Sequence, residues 1–235
     1  MNILAGGDLD FSYENGIAHL HLNRPKKANS ITLEMLEATV QTIEDLSSSD
    51  ELKALVLSAE GKNFSGGVDL KVMDTGHTSS EVLQRYYRLW DEMIEGLEAL
   101  PIPVIGAIQG PAIAGGLSIA LACDLLIGTP SSKFGYPRIP QGYAPGRHNL
   151  SHLLQKIGPG RTRLMFLGAR IIDGQEAMKW GLLDQLVNEF ELETAVQALL
   201  DQIKITPKAL VTLTNRLVDE PDNEDLWRAA HKESL

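Results

Sequence analysis

Apolar and polar positions alternate from Ile17 to Asn23, between Gly16 and Pro25, which predicts a strand with His19 and His21 on one face. Leu33, Leu36, Val40 and Ile43 then recur at helical spacing behind Ser30 and Thr32, either of which can cap a helix. Leu52 to Ala59 is a short apolar run that predicts a buried strand. Behind Ser79 and Ser80, the positions Val82, Leu83, Tyr86, Leu89, Met93 and Leu97 give a second helix one apolar face, and Pro101 stops it. Val104 to Ile108 predicts a strand, Gly115-Gly116 opens a helix running towards Ala122, and Asp124 to Gly128 predicts another strand. Beyond Gly158 the pattern turns helical, with helices expected after Pro159, Asp173, Glu191, Pro207 and Asn223.

Strands alternate with helices first, and helices alone come later. That order predicts an α/β core of stacked βαβ-like units followed by a helical C-terminal part. The 235 residues suffice for a substantial core. A net charge of -10 argues against nucleic acid or an anionic membrane as partner, and makes any anionic ligand depend on local basic groups. The single cysteine, Cys123, excludes internal disulfides and cysteine-rich zinc sites, and fits a reducing cytoplasm. The opening MNILAGGDLD lacks a basic segment followed by an apolar run, so no signal peptide is expected. The apolar stretch from Pro103 to Gly128 is broken by Gln109, Pro111 and several glycines, which reads as buried core and not as a membrane span.

Two glycine-containing turns are the places where chemistry can sit. One is Phe64-Ser65-Gly66-Gly67-Val68-Asp69-Leu70, the other Gln109-Gly110-Pro111-Ala112-Ile113-Ala114-Gly115-Gly116. Each follows a predicted strand and can leave backbone N–H groups free to bind an oxyanion, the second at a helix N-terminus. The plainer reading is that these glycines only permit tight turns and close packing.

Arg24-Pro25-Lys26-Lys27-Ala28-Asn29-Ser30, Phe64 to Leu70, Gly110 to Asp124, Phe134-Gly135-Tyr136-Pro137, Gly142 to Gly146, Gly158-Pro159-Gly160-Arg161 and Ile171 to Val187 follow one another in order. Together they resemble the successive motifs of the crotonase (enoyl-CoA hydratase/isomerase) superfamily. That resemblance implies a crotonase-like spiral of ββα units over residues 1–190, and a helical, shortened C-terminal part over 191–235 that serves oligomerisation or closes the site. It also implies assembly as a homotrimer or hexamer, and a substrate that is an acyl thioester of CoA or of an acyl-carrier protein. CoA enters only as part of that substrate, and no separate cofactor or metal is implied. By the same resemblance, the backbone N–H groups of Val68 and Gly115 form the oxyanion hole. Ser65, Gly66, Asp69 and Leu70 hold the CoA portion, and Lys26 and Lys27 approach its phosphates, supplying local positive charge. For the two lysines the alternative is an ordinary solvated loop.

The sequence departs from the family pattern where hydration chemistry is decided. The two glutamates of a hydratase fall at Ser118 and Arg138. A serine without an adjacent base neither activates water nor protonates carbon well, and an arginine keeps its proton. The expected activity is therefore not standard hydration but enolate formation by decarboxylation, C–C cleavage or isomerisation. Tyr136, Arg138, Tyr143, Arg147 and His148 cluster around the second acid position, and Gly146 to Leu150 resembles the corresponding segment of decarboxylating members. Arg138 can hold a substrate carboxylate, or Tyr143 can orient it; the alternative is a structural ion pair and packing. His148 and Asp69 are candidate bases for isomerisation.

Three other readings come from the sequence. A non-catalytic thioester-binding or scaffold protein fits the loss of both carboxylates. Gly116-Leu117-Ser118-Ile119-Ala120 approximates a nucleophile elbow, which would make Ser118 the nucleophile of a hydrolase if it stood at a sharp turn directly after a strand. His148 and His152, four apart, can share a helix face as metal ligands, but no nearby carboxylate or third histidine completes a site, and a surface helix is the better reading.

Overall fold

The computed structural model of the protein describes residues 2–72 and 78–233. A seven-stranded sheet runs in the order β1 (Asn2–Leu4), β2 (Leu9–Glu14), β3 (Ile17–Leu22), β4 (Ala54–Ala59), β5 (Val104–Ile108), β7 (Leu125–Gly128) and β10 (Gln185–Leu186). The first three strands pair antiparallel, and the pairings from β3 onward are parallel. A smaller sheet holds β6 (Pro111–Ile113), β8 (Lys133–Gly135) and β9 (Ile171–Asp173). Single parallel bridges, Ser65 to Ala112 and Ile31 to Val68, carry that layer on through the two segments that precede it in sequence.

The helices are α1 (Leu33–Ser47), α2 (Ser80–Glu98), α3 (Gly115–Leu121), α4 (Arg147–Leu167), α5 (Gly174–Trp180), α6 (Leu192–Ile205), α7 (Lys208–Asp219) and α8 (Glu224–Glu233). Their starts follow local chemistry. Thr32, and not Ser30, caps α1 by accepting from the Met35 N–H; Ser79 caps α2 and Asp173 caps α5 in the same way. α4 begins a full three turns before the helix expected after Pro159. It is two helices joined at Gly158, whose φ of 75° breaks the helical path. Ser234 and Leu235, the end of the expected last helix, lie outside the described residues.

The parallel strands are buried on both faces. Leu55 and Leu57 of β4 join the main core with Ala18, Leu20, Leu36, Phe64, Tyr86 and Leu117, while Ala54 and Val56 face the other way. There they meet Ile17, Ile105, Ala107 and Ile127, and α6 covers this second cluster with Leu192, Val196 and Leu200, spaced by four. Lys53 donates to the carbonyls of Lys204 and Thr206, and Lys208 to those of Ser49 and Asp50, which ties the end of α6 and the start of α7 to the β4 region. Val82 falls outside the apolar face expected of α2 and is exposed. Among the described residues no helix is long and apolar enough to cross a membrane.

Candidate functional site

The two glycine turns meet. A β-carbon built on Gly67 would lie 2.5 Å from the Gly115 nitrogen, and Gly67 has a φ of 84° that only glycine adopts without strain. The first turn is held from behind by the Arg24 to Ile31 segment. Asn29, fully buried, donates to the carbonyls of Glu60 (2.9 Å) and Asn63 (2.8 Å) and accepts from the Arg24 N–H (2.8 Å). The Ser65 hydroxyl donates to the Asn29 carbonyl and accepts from the Gly67 N–H, and the Gly66 N–H donates to the Ala28 carbonyl. Ile31 exchanges bonds with Gly67 and Asp69 on either side of Val68. Among the described residues the Val68 N–H is left with no protein acceptor, and so is the Gly115 N–H.

Gly115 stands at the first residue of α3, directly after Ala114, whose φ of 53° and ψ of −114° are uncommon for a residue with a β-carbon. The Ala114 N–H donates to Gly135, and its carbonyl accepts from Leu117 and Ser118, so the corner is fixed from both sides. Trp90 of α2 packs against the outer side of Gly115, and its ring stacks on Tyr86.

These turns form one wall of a cleft of about 640 Å³. Val68, Gly115 and Ser118 line it, together with Lys27, Gly66, Asp69, Leu70, Arg138 and Tyr143. Ser65 does not: its side chain is fully buried and used up in bracing the loop. Lys26 is exposed, outside the lining residues. Asp69 reaches the cleft but is committed to Arg24 at 2.6 Å, and Arg24 also holds Asp8 at 3.0 Å, so it is a tied carboxylate and not a free base. Burial pushes the Asp69 carboxyl up, but the Lys71 N–H and the Arg24 guanidinium outweigh that and hold it below its ordinary value. A carboxyl depressed on folding contributes stability above its unfolded value and loses it as pH falls through its folded value. Urea midpoints taken at about pH 7 and about pH 3 should therefore fall further in the wild type than in Asp69→Asn, because the variant lacks the titrating group.

Arg138 follows β8 and opens a tight turn in which its carbonyl accepts from the N–H groups of Gln141 and Tyr143. The turn folds Tyr143 back so that the guanidinium lies 4.5 Å from the centre of its ring. Among the described residues Arg138 makes no ion pair, so the structural ion pair weighed from the sequence is absent. Tyr136 donates to the Ala144 carbonyl and packs its ring edge-on against Phe166. Burial pushes the hydroxyls of Tyr136 and Tyr87 up, so both are neutral near pH 7.

His148 is not in the cleft. It turns to the other side of α4, with Nδ1 3.2 Å from Glu98 and Nε2 3.7 Å from Glu95 of α2. The expectation that no carboxylate joins His148 and His152 is thereby overturned, since Glu98 lies 2.8 Å from His152 as well. The nucleophile-elbow reading also fails: Ser118 sits inside α3 and not at a sharp turn directly after a strand, and no histidine is among the described residues lining the cleft.

Asn149 and Asp91 are among the cleft residues not singled out from the sequence. Asn149, in the first turn of α4, is 2% exposed, lines the cleft, and has no hydrogen-bond partner for its side chain among the described residues. Asp91 lines it from α2, free of any ion pair among the described residues. The signal for Asp91 was present, because Tyr87, Trp90 and Asp91 stand at i, i+3 and i+4 and share a face.

Residues 12–234 match the family model described as enoyl-CoA hydratase/isomerase. A 4-chlorobenzoyl coenzyme A dehalogenase of Arthrobacter sp is 29% identical over 222 residues, 93% of this chain and 80% of the dehalogenase. A crotonyl-CoA hydratase of Syntrophomonas wolfei is 28% identical over 217 residues, 92% of this chain and 83% of the hydratase. Among solved structures, the enoyl-CoA hydratase of Bacillus anthracis superposes with a TM-score of 0.86 at 26% identity, covering 96% of this chain and 88% of that one.

Proposed function

Because this chain belongs to the enoyl-CoA hydratase/isomerase family, we propose that it acts on acyl-CoA thioesters by stabilising an enolate, and that it does so without the two-carboxylate chemistry of hydration. The observation that carries this reading is the pair of unpartnered N–H groups, Val68 and Gly115, on two turns that touch beside the cleft. Two donors fixed before the reaction stabilise charge that develops on a thioester oxygen, and they need no reorganisation as it does so.

The reaction class follows from what surrounds them. A hydratase needs a group to activate water and another to protonate carbon. Among the described residues Ser118 has no base bonded to it, and Arg138 keeps its proton. Arg138 is instead a cation with no counter-ion among the described residues, and it lines the cleft with Asn149 of the first turn of α4. That combination suits an acyl group carrying a carboxylate. In a malonyl-type thioester, the electron pair of the bond to the carboxylate moves to the α-carbon and is delocalised onto the thioester oxygen. Carbon dioxide leaves, and the α-carbon takes a proton, for which Tyr143 presents a hydroxyl group on the cleft wall.

Arg138 attracts the carboxylate in the bound substrate, but its partner charge leaves in the reaction. Its contribution therefore falls on binding more than on the chemical step. Arg138→Met is expected to raise KM by about 10–100-fold, a loss in the range of a charge-assisted hydrogen-bonded pair, with a smaller change in kcat. Steady-state kinetics separate the two.

Isomerisation of an enoyl thioester is the second reading, favoured by Asp91, a carboxylate on the cleft wall able to take and return a proton. The deciding experiment is incubation with crotonyl-, 3-enoyl-, malonyl- and methylmalonyl-CoA, with loss of carbon dioxide read by mass spectrometry and movement of the double bond by the ultraviolet absorption of the conjugated thioester. Loss of carbon dioxide supports the first reading. Conversion of the 3-enoyl thioester alone, abolished in Asp91→Asn, supports the second. Tight binding with no change in any thioester removes both and leaves a thioester-binding protein without catalysis.

A further inference from the structure

We propose that Glu98, His148 and His152 form a divalent metal site, of the kind that takes zinc, where α2 and α4 pack together. The observation is geometric. Glu98 Oε1 lies 3.2 Å from His148 Nδ1 and 2.8 Å from His152 Nε2, and the three candidate ligand atoms all lie within 4.8 Å of one another. Ligands bound tetrahedrally to zinc at about 2.0–2.2 Å stand roughly 3.3–3.6 Å apart, so the two short edges close around an ion with shifts of a few tenths of an ångström.

Chain geometry makes the site inexpensive to form. His148 and His152 are four apart on the first half of α4, on one face of the helix. Glu98 is the last residue of α2, so its backbone is already fixed. Two imidazoles and one carboxylate leave a fourth position open, and this donor set prefers zinc, cobalt, nickel or copper to magnesium or calcium. The other nitrogen of His148 lies 3.5 Å from the Arg147 guanidinium and 3.7 Å from Glu95, which must close in by a few tenths of an ångström to orient a metal-bound imidazole. Arg147 is close by and is neutralised by Glu95 at 2.9 Å.

Glu98 and His152 also line a second cavity, of about 890 Å³, with Lys156, Thr214, Asn215 and Asp219. This cavity shares no lining residue with the cleft. The same two helices carry Trp90, Asp91 and Asn149 into the cleft, Asp91 two turns before Glu98 on α2, so an ion here would fix the spacing of those cleft residues.

The test uses the full-length protein after treatment with EDTA. Zinc is titrated by calorimetry, and cobalt(II) by its visible absorption. The expected result is one equivalent bound per chain with a Kd of about 1 µM or tighter. His152→Asn and Glu98→Gln, made separately, are each expected to weaken binding by roughly 100-fold or more. Glu98→Gln keeps the size of the side chain, and His152→Asn keeps a polar group in place of the ring. As a second reading, zinc should raise the melting midpoint of the wild type and leave that of His152→Asn unmoved. Zinc uptake that is equal in wild type and both variants, or no uptake at about 100 µM zinc, overturns the site and leaves Glu98 as an acceptor shared by two histidines.

Discussion

Gly67→Ala is expected to lower turnover of a productive acyl-CoA by about 10²–10³-fold, the loss that follows removal of one oxyanion donor. The added carbon would lie 2.5 Å from the Gly115 nitrogen, 2.7 Å from its Cα and 3.0 Å from the Gly116 nitrogen. Non-bonded carbon atoms prefer separations of about 3.5–4.0 Å, so one turn must retreat by about 1 Å. A displacement of that size at reacting groups costs about 10²-fold. The Val68 and Gly115 N–H groups sit on the two turns that would be forced apart, so their spacing is what changes. Kinetics with the best thioester, beside a melting curve to show that the variant folds, provide the check. Activity within about threefold of wild type would mean that these amides do not seat the reacting oxygen.

Asn29→Ala should lower stability by about 3–5 kcal/mol, in the range reached when a buried hydrogen-bonding group is removed. The side chain makes three bonds to backbone groups, at Arg24, Glu60 and Asn63, and it is fully buried. Truncation leaves those groups without partners. It also puts alanine at a φ of 49°, where asparagine is tolerated better. Urea denaturation measures the loss, and a change below about 1 kcal/mol would mean that water takes over the three bonds. The same substitution should loosen the Phe64 to Leu70 turn, because the Asn29 carbonyl anchors the Ser65 hydroxyl.

Much of the architecture was legible where side-chain periodicity and caps coincide. Val104–Ile108 appears with the bounds read from its apolar run, and Thr32, Ser79 and Asp173 start their helices as capping residues should. The strands not singled out, such as β6, β8 and β9, are only three residues long, too short for any period to declare itself. The opening hairpin of β1 and β2 was missed because Leu9 alone of its nine residues is fully buried, so little alternation marks it. Around the cleft, backbone features were readable because glycine reports them. Side-chain direction was not. His148 and Asn149 are neighbours in one helical turn, yet one faces α2 and the other the cleft, and only the packing of α4 decides which. Glu98 lies 50 residues from His148 in the chain and carries no mark of that pairing.

The covering of the second core cluster by α6 has a consequence for how the protein is made. Ile17, Val56, Ile105 and Ile127 belong to strands finished by Gly128, whereas the helix that shelters them ends at Ile205. A ribosome adding about 5–20 residues per second takes roughly 4–15 s over those 77 intervening residues (205 − 128). For that interval the nascent chain carries a bare apolar sheet face with nothing of its own to lay across it. The protein is thus most vulnerable to association with other nascent chains in the second half of its synthesis, an interval that opens before the cleft residues Arg138, Tyr143 and Asn149 have been made.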